Sequence, residues 1–187
     1  MLKRLFDLTI CILLLAIISI PFLLICLAVK LTSKGPIFYI SKRIGKDNHI
    51  FLMPKFRSMR IDTPQVATHL LAKPESFLTP IGNFLRKSSL DELPQILSVL
   101  SGEMSLVGPR PALFNQDDLV SLRTERGVHR LSPGITGWAQ INGRDELPIP
   151  VKVQFDEYYL KNRSFLLDLK ILLLTGYKVF KKEGITH

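Results

Sequence analysis

A long uncharged segment near the N-terminus constrains this chain more than any other feature. No Asp, Glu, Lys or Arg occurs between Leu8 and Val29. A straight helix over that range would be about 33 Å long, enough to cross a hydrocarbon core about 30 Å thick. The segment is too long for a signal peptide, and no A-x-A-like cleavage site follows it. We therefore expect a membrane-embedded helix.

Pro21 lies inside this segment and predicts a break or a bend in the helix. Proline has no N–H to donate, and its ring clashes with the carbonyl four residues earlier; Ser19 could satisfy a freed carbonyl. The two arms, 8–18 and 22–29, are each about 12–17 Å long and too short to span a bilayer. Basic residues flank both ends, which favours both on the cytoplasmic side. A re-entrant helix broken at Ser19 and Pro21 fits these features, and a kinked single-pass helix is the alternative.

The positive charge of the chain is concentrated beside the apolar segment. Residues 1–60 hold ten Lys and Arg against two acids, Asp7 and Asp47, and so carry most of the net charge of +9. Basic flanks of this kind suit an anionic leaflet, with each residue contributing about 1 kcal/mol. Nucleic-acid binding is the rival explanation, but aromatic interleaving and known nucleic-acid motifs are absent, so we expect no nucleic-acid partner.

The remainder of the chain predicts a small, helix-rich α/β body that stays cytoplasmic under either topology. Two apolar-rich runs, 37–44 and 49–56, flank a Gly-Lys-Asp-Asn turn and predict two strands. Helical patterns cover three further segments, 81–87, 93–100 and 115–126.

Two later segments lack a regular pattern, and the tail has two interpretations. Gly-Pro-Arg-Pro at 108–111 cannot form regular structure because its prolines fix their own φ angles. The stretch 133–138 is punctuated by glycine and predicts a loop. The tail 165–182 is apolar over most of its circumference, which is typical of a buried core helix or of a helix lying in the bilayer interface.

Two adjacent carboxylates, Asp91 and Glu92, are the first candidates for chemistry. Helix capping is the ordinary interpretation, because Ser89 and Glu92 have the spacing of a capping box; Pro94 fits better if Asp91 itself is the cap. The alternative is a site where free N–H groups at a helix N-terminus hold a phosphate, with Arg86 nearby. The residues alone leave both interpretations open.

Two further clusters could bind a phosphorylated ligand. Arg110 lies on the stiff Gly-Pro-Arg-Pro loop, where a guanidinium can grip phosphate in a bidentate manner, although a structural turn explains the loop equally well. Segment 134–144 carries Gln140, Asn142 and Arg144 beside a tryptophan and could read a base and a diphosphate; a structural loop around a buried Trp138 is the alternative. The chain has no G-x-G-x-x-G, Walker A or H-E-x-x-H motif.

Taken together, these stretches resemble the small monotopic phosphoglycosyl transferases of the bacterial sugar transferase family. The resemblance covers nearly the whole chain in order. The matching stretches are KFRSM at 55–59, SLDELPQ at 89–95, MSLVGPRP at 104–111, PGITGWAQINGR at 133–144 and YYLKNRSF at 158–165.

The resemblance implies a monotopic membrane protein with interfacial amphipathic helices. It implies a re-entrant membrane helix within residues 1–34 and a catalytic domain over residues 35–187, on the cytoplasmic face of the bacterial inner membrane. The family breaks this helix near an adjacent Ser-Pro pair, whereas Ile20 separates Ser19 from Pro21 here. Members occur as minimal chains or as catalytic ends of larger ones, and this chain resembles the minimal form.

The resemblance also implies a reaction. A sugar 1-phosphate would move from a UDP-sugar to undecaprenyl or another polyprenyl phosphate, releasing UMP and starting the assembly of a surface polysaccharide or glycoconjugate. Asp91 would be the nucleophile that forms a phosphosugar-aspartyl intermediate, and Glu92 a base or a ligand of Mg²⁺, with Asp91 near the ion.

Other residues would bind the phosphates or the nucleotide: Arg86, Arg110, Arg57, Arg144, Gln140 and Asn142. The sequence does not identify the sugar, whose choice we place in segments 62–80 and 145–148. Membrane lipids are further partners, and an oligomer is left open. The rival functions are a membrane-tethered scaffold, which would not release UMP, and a lipid phosphatase, which would need no nucleotide.

Overall fold

The computed structural model describes residues 2–64, 74–143 and 147–181. Within these ranges it has seven α-helices and five short strands. The helices are α1 (Leu2–Thr32), α2 (Gly82–Lys87), α3 (Gln95–Ser101), α4 (Asp117–Glu125), α5 (Trp138–Ile141), α6 (Ile149–Asn162) and α7 (Phe165–Lys181). The strands are β1 (Phe38–Ile44), β2 (Ile50–Phe56), β3 (Ser105–Val107), β4 (Ala112–Leu113) and β5 (Gly134–Thr136). Single 3-10 turns cover Lys46–Asn48, Pro74–Phe77, Leu90–Glu92 and Val128–Arg130.

The strands form two small sheets. Strands β1 and β2 are an antiparallel hairpin in which Phe38 pairs with Phe56 and Ile44 with Ile50, and β4 joins the other edge of β1. Strands β3 and β5 pair in parallel. This mixture of helices with antiparallel and parallel pairing confirms the predicted helix-rich α/β class.

Helix α1 packs on the body through both of its halves. Near the start, buried Cys11 belongs to a core that includes Val99 of α3 and Ile171 of α7. Near the end, buried Val29 packs in a second cluster with Phe56 of β2 and Leu85 of α2. Because α1 contributes to both cores, it is part of the packed structure; the predicted division at residue 34 stays a prediction.

Polar contacts fix the same two ends of α1. Asp7 accepts a hydrogen bond of 2.7 Å from the Ser105 hydroxyl, and Lys3 forms an ion pair of 2.7 Å with Asp168 of α7. At the other end, the guanidinium of Arg57 donates to the hydroxyl of Ser33 over 2.8 Å and to its carbonyl over 3.0 Å. Both ends of the helix are therefore attached to one body.

The outward face of α1 is apolar and exposed. Ile17 is 74% exposed and Leu23 66%, and only 6% of the most apolar stretch is buried in the protein. In the part of the chain that is described, α1 is the one helix long and apolar enough to cross a membrane. Its mean hydropathy in that stretch is 3.2, which is typical of membrane segments.

The predicted break of this helix is not confirmed. α1 runs from Leu2 to Thr32 with Pro21 inside it, and Ser19 donates its hydroxyl to the carbonyl of Ala16 over 2.9 Å. The helix thus continues through the proline, and the Ser19 hydroxyl bonds the carbonyl of Ala16, not that of Ile17, which is the carbonyl that Pro21 leaves without its helical donor. Re-entrance therefore stays a prediction.

Helix α7 combines the two interpretations of the tail. Its inner side is buried at Asp168 and Ile171, whereas Leu166 and Leu173 are 75% and 68% exposed. A helix with a core face and an outward apolar face suits the rim of a membrane-associated body. A separate prediction, a loop over 133–138, was wrong in part, because 134–136 form β5 and α5 begins at Trp138.

We predict that Gly134→Ala lowers stability strongly, because β5 lies directly against the chain leaving β3. A Cβ on Gly134 would lie 2.1 Å from the backbone nitrogen of Gly108 and 2.4 Å from the carbonyl oxygen of Thr136. Overpacking of this kind costs about 1–3 kcal/mol or more. Thermal unfolding in detergent measures the loss.

The matched control is Gly176→Ala in α7, where nothing lies within 4 Å of the new Cβ. Because alanine favours a helix over glycine by about 1 kcal/mol, this variant should be neutral or slightly more stable. Equal melting temperatures for the two variants would contradict the close approach of β5 and β3.

Candidate active site

The carboxylates Asp91 and Glu92 lie in the 3-10 turn between α2 and α3. Ser89 precedes the turn in the left-handed region, with φ of 55° and ψ of 17°, and so reverses the chain after α2. Non-glycine residues adopt this conformation only at a cost in free energy. The reversal turns the two carboxyl groups toward the end of β2 and the loop after β3.

Capping does not explain these residues, so both capping predictions were wrong. Helix α3 begins at Gln95, with Pro94 at the N-cap position. The N–H of Leu93 already donates to the Leu90 carbonyl over 3.3 Å, and Pro94 has none, so Asp91 has no helix N–H to accept. The N–H of Glu92 donates to the backbone carbonyl of Ser89, while the Ser89 hydroxyl has no partner. A phosphate bound here would therefore have to be held by side chains and not by free N–H groups of a helix.

Two cations hold Glu92. Its Oε1 accepts from Lys55 Nζ over 2.7 Å and from Arg110 Nη2 over 2.9 Å. Lys55 lies near the end of β2, and Arg110 lies in the loop between β3 and β4. Although burial opposes it, these ion pairs keep the pKa of Glu92 well below its usual value. Glu92 is thus a fixed anion that joins three segments of the chain.

Asp91 differs from its neighbour in burial and in protonation. It is 7% exposed, and its Oδ1 has no hydrogen-bond partner. Burial raises the pKa of Asp91, and the nearby charge of Glu92 adds to the rise, whereas Lys55, Arg86 and Arg110 oppose it. Neighbouring acids whose pKa values move apart are typical of catalytic sites.

The structure brings Arg86 and Arg110 to the carboxylates, as the sequence predicted. Both charges lower the pKa of Asp91, so both act on that carboxyl group electrostatically. Arg86 lies in the last turn of α2, and its Nη1 lies 3.7 Å from the sulfur of Met59. Together with Lys55, Arg86 and Arg110 surround the turn with positive charge, which could hold the oxygens of a phosphate or diphosphate.

A model of the family described as bacterial sugar transferase matches residues 1–182 of this chain. The chain belongs to the bacterial sugar transferase family. The prediction that it is an enzyme of this family is thereby confirmed.

Relatives of this sugar transferase fall into two lengths. The uncharacterized sugar transferase EpsL of Bacillus subtilis is 46% identical over 98% of this chain and 90% of its own length. The UDP-glucose:undecaprenyl-phosphate glucose-1-phosphate transferase of Escherichia coli is 40% identical over 98% of this chain but only 41% of its own length. The undecaprenyl-phosphate galactose phosphotransferase of Salmonella typhimurium is 37% identical, again over 98% of this chain and 41% of its own length.

The other predicted site residues of the transferase have varied surroundings. Buried Arg57 donates to Ser33 and to the Pro36 carbonyl, and Asn142 is exposed and donates to the Trp138 carbonyl. Gln140 lies beside Gly137, near the start of the Arg110 loop, with both amide atoms buried and without a partner. Arg144 lies outside the described residues. The roles of all four in binding phosphate or nucleotide stay predictions.

The side chains that could ligate a metal in the transferase fit Mg²⁺ in one respect. Asp91 Oδ1 has no protein partner, so it could ligate a cation. The described residues contain no group of three or more Asp, Glu, His or Cys side chains that could hold a metal alone. Mg²⁺ usually binds one or two carboxylates together with waters and substrate phosphates, so such a sparse set is compatible with it.

Sequence reasoning missed a buried ion pair behind the Arg110 loop. Arg123 of α4 donates through Nη2 to Asp156 of α6 over 2.7 Å and through Nε over 3.0 Å. Its Nη1 donates to the backbone carbonyl of Arg110 over 2.8 Å. Arg123 therefore fixes the loop that carries the Arg110 guanidinium. The helical pattern of 115–126 gave no signal for this, because an arginine in a helix is usually a surface residue.

We predict that Arg123→Met destabilises the protein by about 3–5 kcal/mol, because it leaves the buried carboxylate of Asp156 without its partner. Arg126→Met is the matched control, since Arg126 is 55% exposed and lies 3.4 Å from Glu157. That exposed pair should contribute about 1 kcal/mol or less. Chemical unfolding of the two variants in detergent measures the difference, and equal losses would show that the buried pair has no special weight.

Proposed function

We propose that this transferase moves a sugar 1-phosphate from a UDP-sugar to a polyprenyl phosphate at the cytoplasmic face of the inner membrane and releases UMP. One observation carries the proposal. Asp91 is buried, has an oxygen without a partner, and lies beside an anion held by two cations. The printed names of the relatives in Escherichia coli and Salmonella typhimurium describe sugar-phosphate transfer to undecaprenyl phosphate.

The site suits transfer in two steps. In the first, a carboxylate oxygen of Asp91 attacks the phosphorus that bears the sugar, and the bond from that phosphorus to the UMP oxygen breaks, so UMP leaves with the electron pair. In the second, an oxygen of the polyprenyl phosphate attacks the same phosphorus. The aspartyl–phosphorus bond then breaks and restores the carboxylate. Covalent catalysis divides one transfer between two bulky anions into two easier steps.

The cations give this mechanism its electrostatic support. Arg86 and Arg110 would hold phosphate oxygens while charge develops on the leaving UMP. Lys55 and Arg110 also keep Glu92 in place, so Glu92 can orient the turn. Mg²⁺ held by Asp91, with Glu92 nearby, would neutralise phosphate charge when bound.

The attachment of α1 supports a location at the membrane surface. The acceptor's long chain stays in the bilayer, whereas the nucleotide sugar is dissolved, so both must meet at the interface. Asp7 and Ser33, at opposite ends of the apolar segment, contact the same body. A helix that crossed the bilayer would carry these two residues to opposite sides, so the double attachment favours a helix that has both ends on the cytoplasmic side.

The names of the relatives indicate which UDP-sugars to test as donors. The named relatives use glucose or galactose, so UDP-glucose and UDP-galactose are the first donors to test. Of the segments in which we place the choice of sugar, 65–73 within 62–80 and 145–146 within 145–148 lie outside the described residues.

We predict that the full chain in detergent releases UMP from UDP-glucose or UDP-galactose and that Asp91→Asn abolishes this release. The amide cannot act as the nucleophile, so the loss should be about a thousandfold or more. The folded state should persist, because Asn has nearly the shape of Asp. Release of UMP, thermal unfolding and labelling of the protein by the sugar phosphate are the measurements.

Labelling of the protein by the sugar phosphate distinguishes covalent transfer from direct transfer. Covalent transfer requires UMP release before any polyprenyl phosphate is added, and phosphosugar that stays on the denatured wild-type protein. Direct transfer would give neither. A scaffold would release no UMP from any donor and tolerate alanine at Asp91 and Glu92, and a lipid phosphatase would liberate inorganic phosphate without nucleotide.

We also predict a pH dependence set by Asp91. The attacking group is the carboxylate, and burial raises its pKa, so the rate should rise with pH through a pKa above that of an ordinary aspartate. Lys55 opposes that rise. Lys55→Met should therefore move the acidic limb of the kcat profile to higher pH.

Lys55→Arg is the control because it keeps the positive charge, and its acidic limb should stay near that of the wild type. A uniform loss of rate in Lys55→Met, with an unmoved acidic limb, would show that Lys55 does not tune the nucleophile.

A further inference from the structure

A cavity lies away from the turn of Asp91 and Glu92, between the first turns of α1 and α7. Its volume is about 530 Å³, and it reaches Gly102 and Ser105. These residues lie just beyond α3 and at the start of β3, whereas Asp91 precedes α3 and Arg110 follows β3. The cavity is therefore at the end of α3 opposite the site proposed for phosphosugar transfer, and along β3 it extends to Val107. Its volume is within the range of about 300–1,000 Å³ that ligand sites usually have.

Basic side chains dominate the charge of this cavity. Five line it, namely Lys3, Arg4, Lys46, Arg130 and Arg163, against two acids, Asp7 and Asp168. Lys3 pairs with Asp168, whose other oxygen accepts from the Tyr159 hydroxyl over 2.6 Å. Arg4 donates to the carbonyls of Val99 and Leu100. Asp168 is thus engaged through both oxygens and Asp7 through Oδ2 alone, its Oδ1 having no partner, and five cations against two acids leave a positive excess around the cavity.

Three of the cations are available to a ligand. The side chains of Lys46, Arg130 and Arg163 are exposed, and none forms a hydrogen bond or an ion pair with another described residue. They come from three separate segments: the turn after β1, the 3-10 turn after α4, and the link between α6 and α7. Convergence of three such cations on one cavity leaves its positive charge uncompensated by the described protein, which favours an anion.

The mouth of the cavity is also apolar. Leu2 and Phe165 line it and are 72% and 47% exposed. They continue into the exposed apolar faces of α1 and α7, where Leu5 and Leu166 are 65% and 75% exposed. Lys3 and Arg4 lie about one helical turn before the uncharged segment that begins at Leu8, and basic residues in such flanks meet lipid headgroups. One cavity thus offers cations to a phosphate and apolar surface to an attached chain.

We propose that this cavity binds the phosphate headgroup of a membrane phospholipid. The phosphate contacts Arg130 and Arg163, with Lys46 at the rim, and the acyl chains leave past Leu2 and Phe165. A free phosphate ion shares the headgroup chemistry but gains nothing from the apolar mouth, so the lipid is the favoured source. The bound lipid holds the loop before β5 and the start of α7 at the leaflet surface. This inference does not depend on the reaction at Asp91.

Native mass spectrometry of the full chain tests the inference. The detergent-purified protein is titrated with phosphatidylglycerol and, in separate arms, with soluble glycerophosphoglycerol and with inorganic phosphate. We expect wild type to retain one phosphatidylglycerol. In Arg130→Gln/Arg163→Gln, retention should be about tenfold weaker or more, since two cationic contacts are lost.

The matched control is Lys42→Gln/Arg126→Gln, which removes the same charge from exposed positions outside the cavity. It should retain the lipid as wild type does, and Arg130→Lys/Arg163→Lys should retain most of it. Thermal unfolding identifies any misfolded variant, and Lys46→Gln then serves as a milder test. Equal lipid loss in the cavity and control variants would overturn the proposal. Inorganic phosphate that displaces the lipid at equal concentration would also overturn it, by showing an adventitious anion site.

Discussion

The ion pairs of Glu92 are the constraint on which the arrangement of the site depends. One carboxylate oxygen accepts from Lys55 and from Arg110, so β2, the 3-10 turn of Asp91 and Glu92, and the loop after β3 meet at a single atom. A buried carboxylate is costly unless cations and hydrogen bonds compensate it, so the three segments stabilise one another. This arrangement also leaves the adjacent Asp91 as the acid whose oxygen has no partner. The difference between the two acids thus follows from which one the cations reach.

Support for this site extends into the helical part of the body. Asp156 of α6 holds Arg123 of α4, and Arg123 holds the carbonyl of Arg110. The parallel pair of β3 and β5 fixes the start of the same loop, because the N–H of Gly108 donates to the Thr136 carbonyl over 2.9 Å. The loop therefore keeps its shape through backbone contacts, and its guanidinium is held in position by protein contacts alone. Preorganised cations of this kind lose little freedom when a phosphate binds.

Much of the fold followed from the sequence, because local patterns determined it. The hairpin over 37–56 and the helices near 81–87 and 115–126 were predicted from alternation, turn residues and helical period. The predictions that failed concerned contacts that no periodic pattern in the sequence indicates. The capping interpretation of Asp91 failed because the Leu93 N–H was already engaged. The pairing of 134–136 with β3 was missed because a three-residue strand has almost no periodic signal. Lys55, Arg123 and Asp156 were missed as site residues because their importance lies in contacts across long separations in the chain.

The attachment of α1 has a consequence for how the chain matures. In the chain α1 precedes the body, yet the groups that hold its first turns are Ser105 and Asp168, and the latter follows Lys3 by 165 positions. The helix must therefore wait in the lipid, or on a chaperone, until nearly all of the body has been synthesised. During that interval Asp7 lacks Ser105 and Lys3 lacks Asp168, so the first turns of α1 carry unmatched charge. The first turns of α1 consequently reach their final contacts only after α7 has been made.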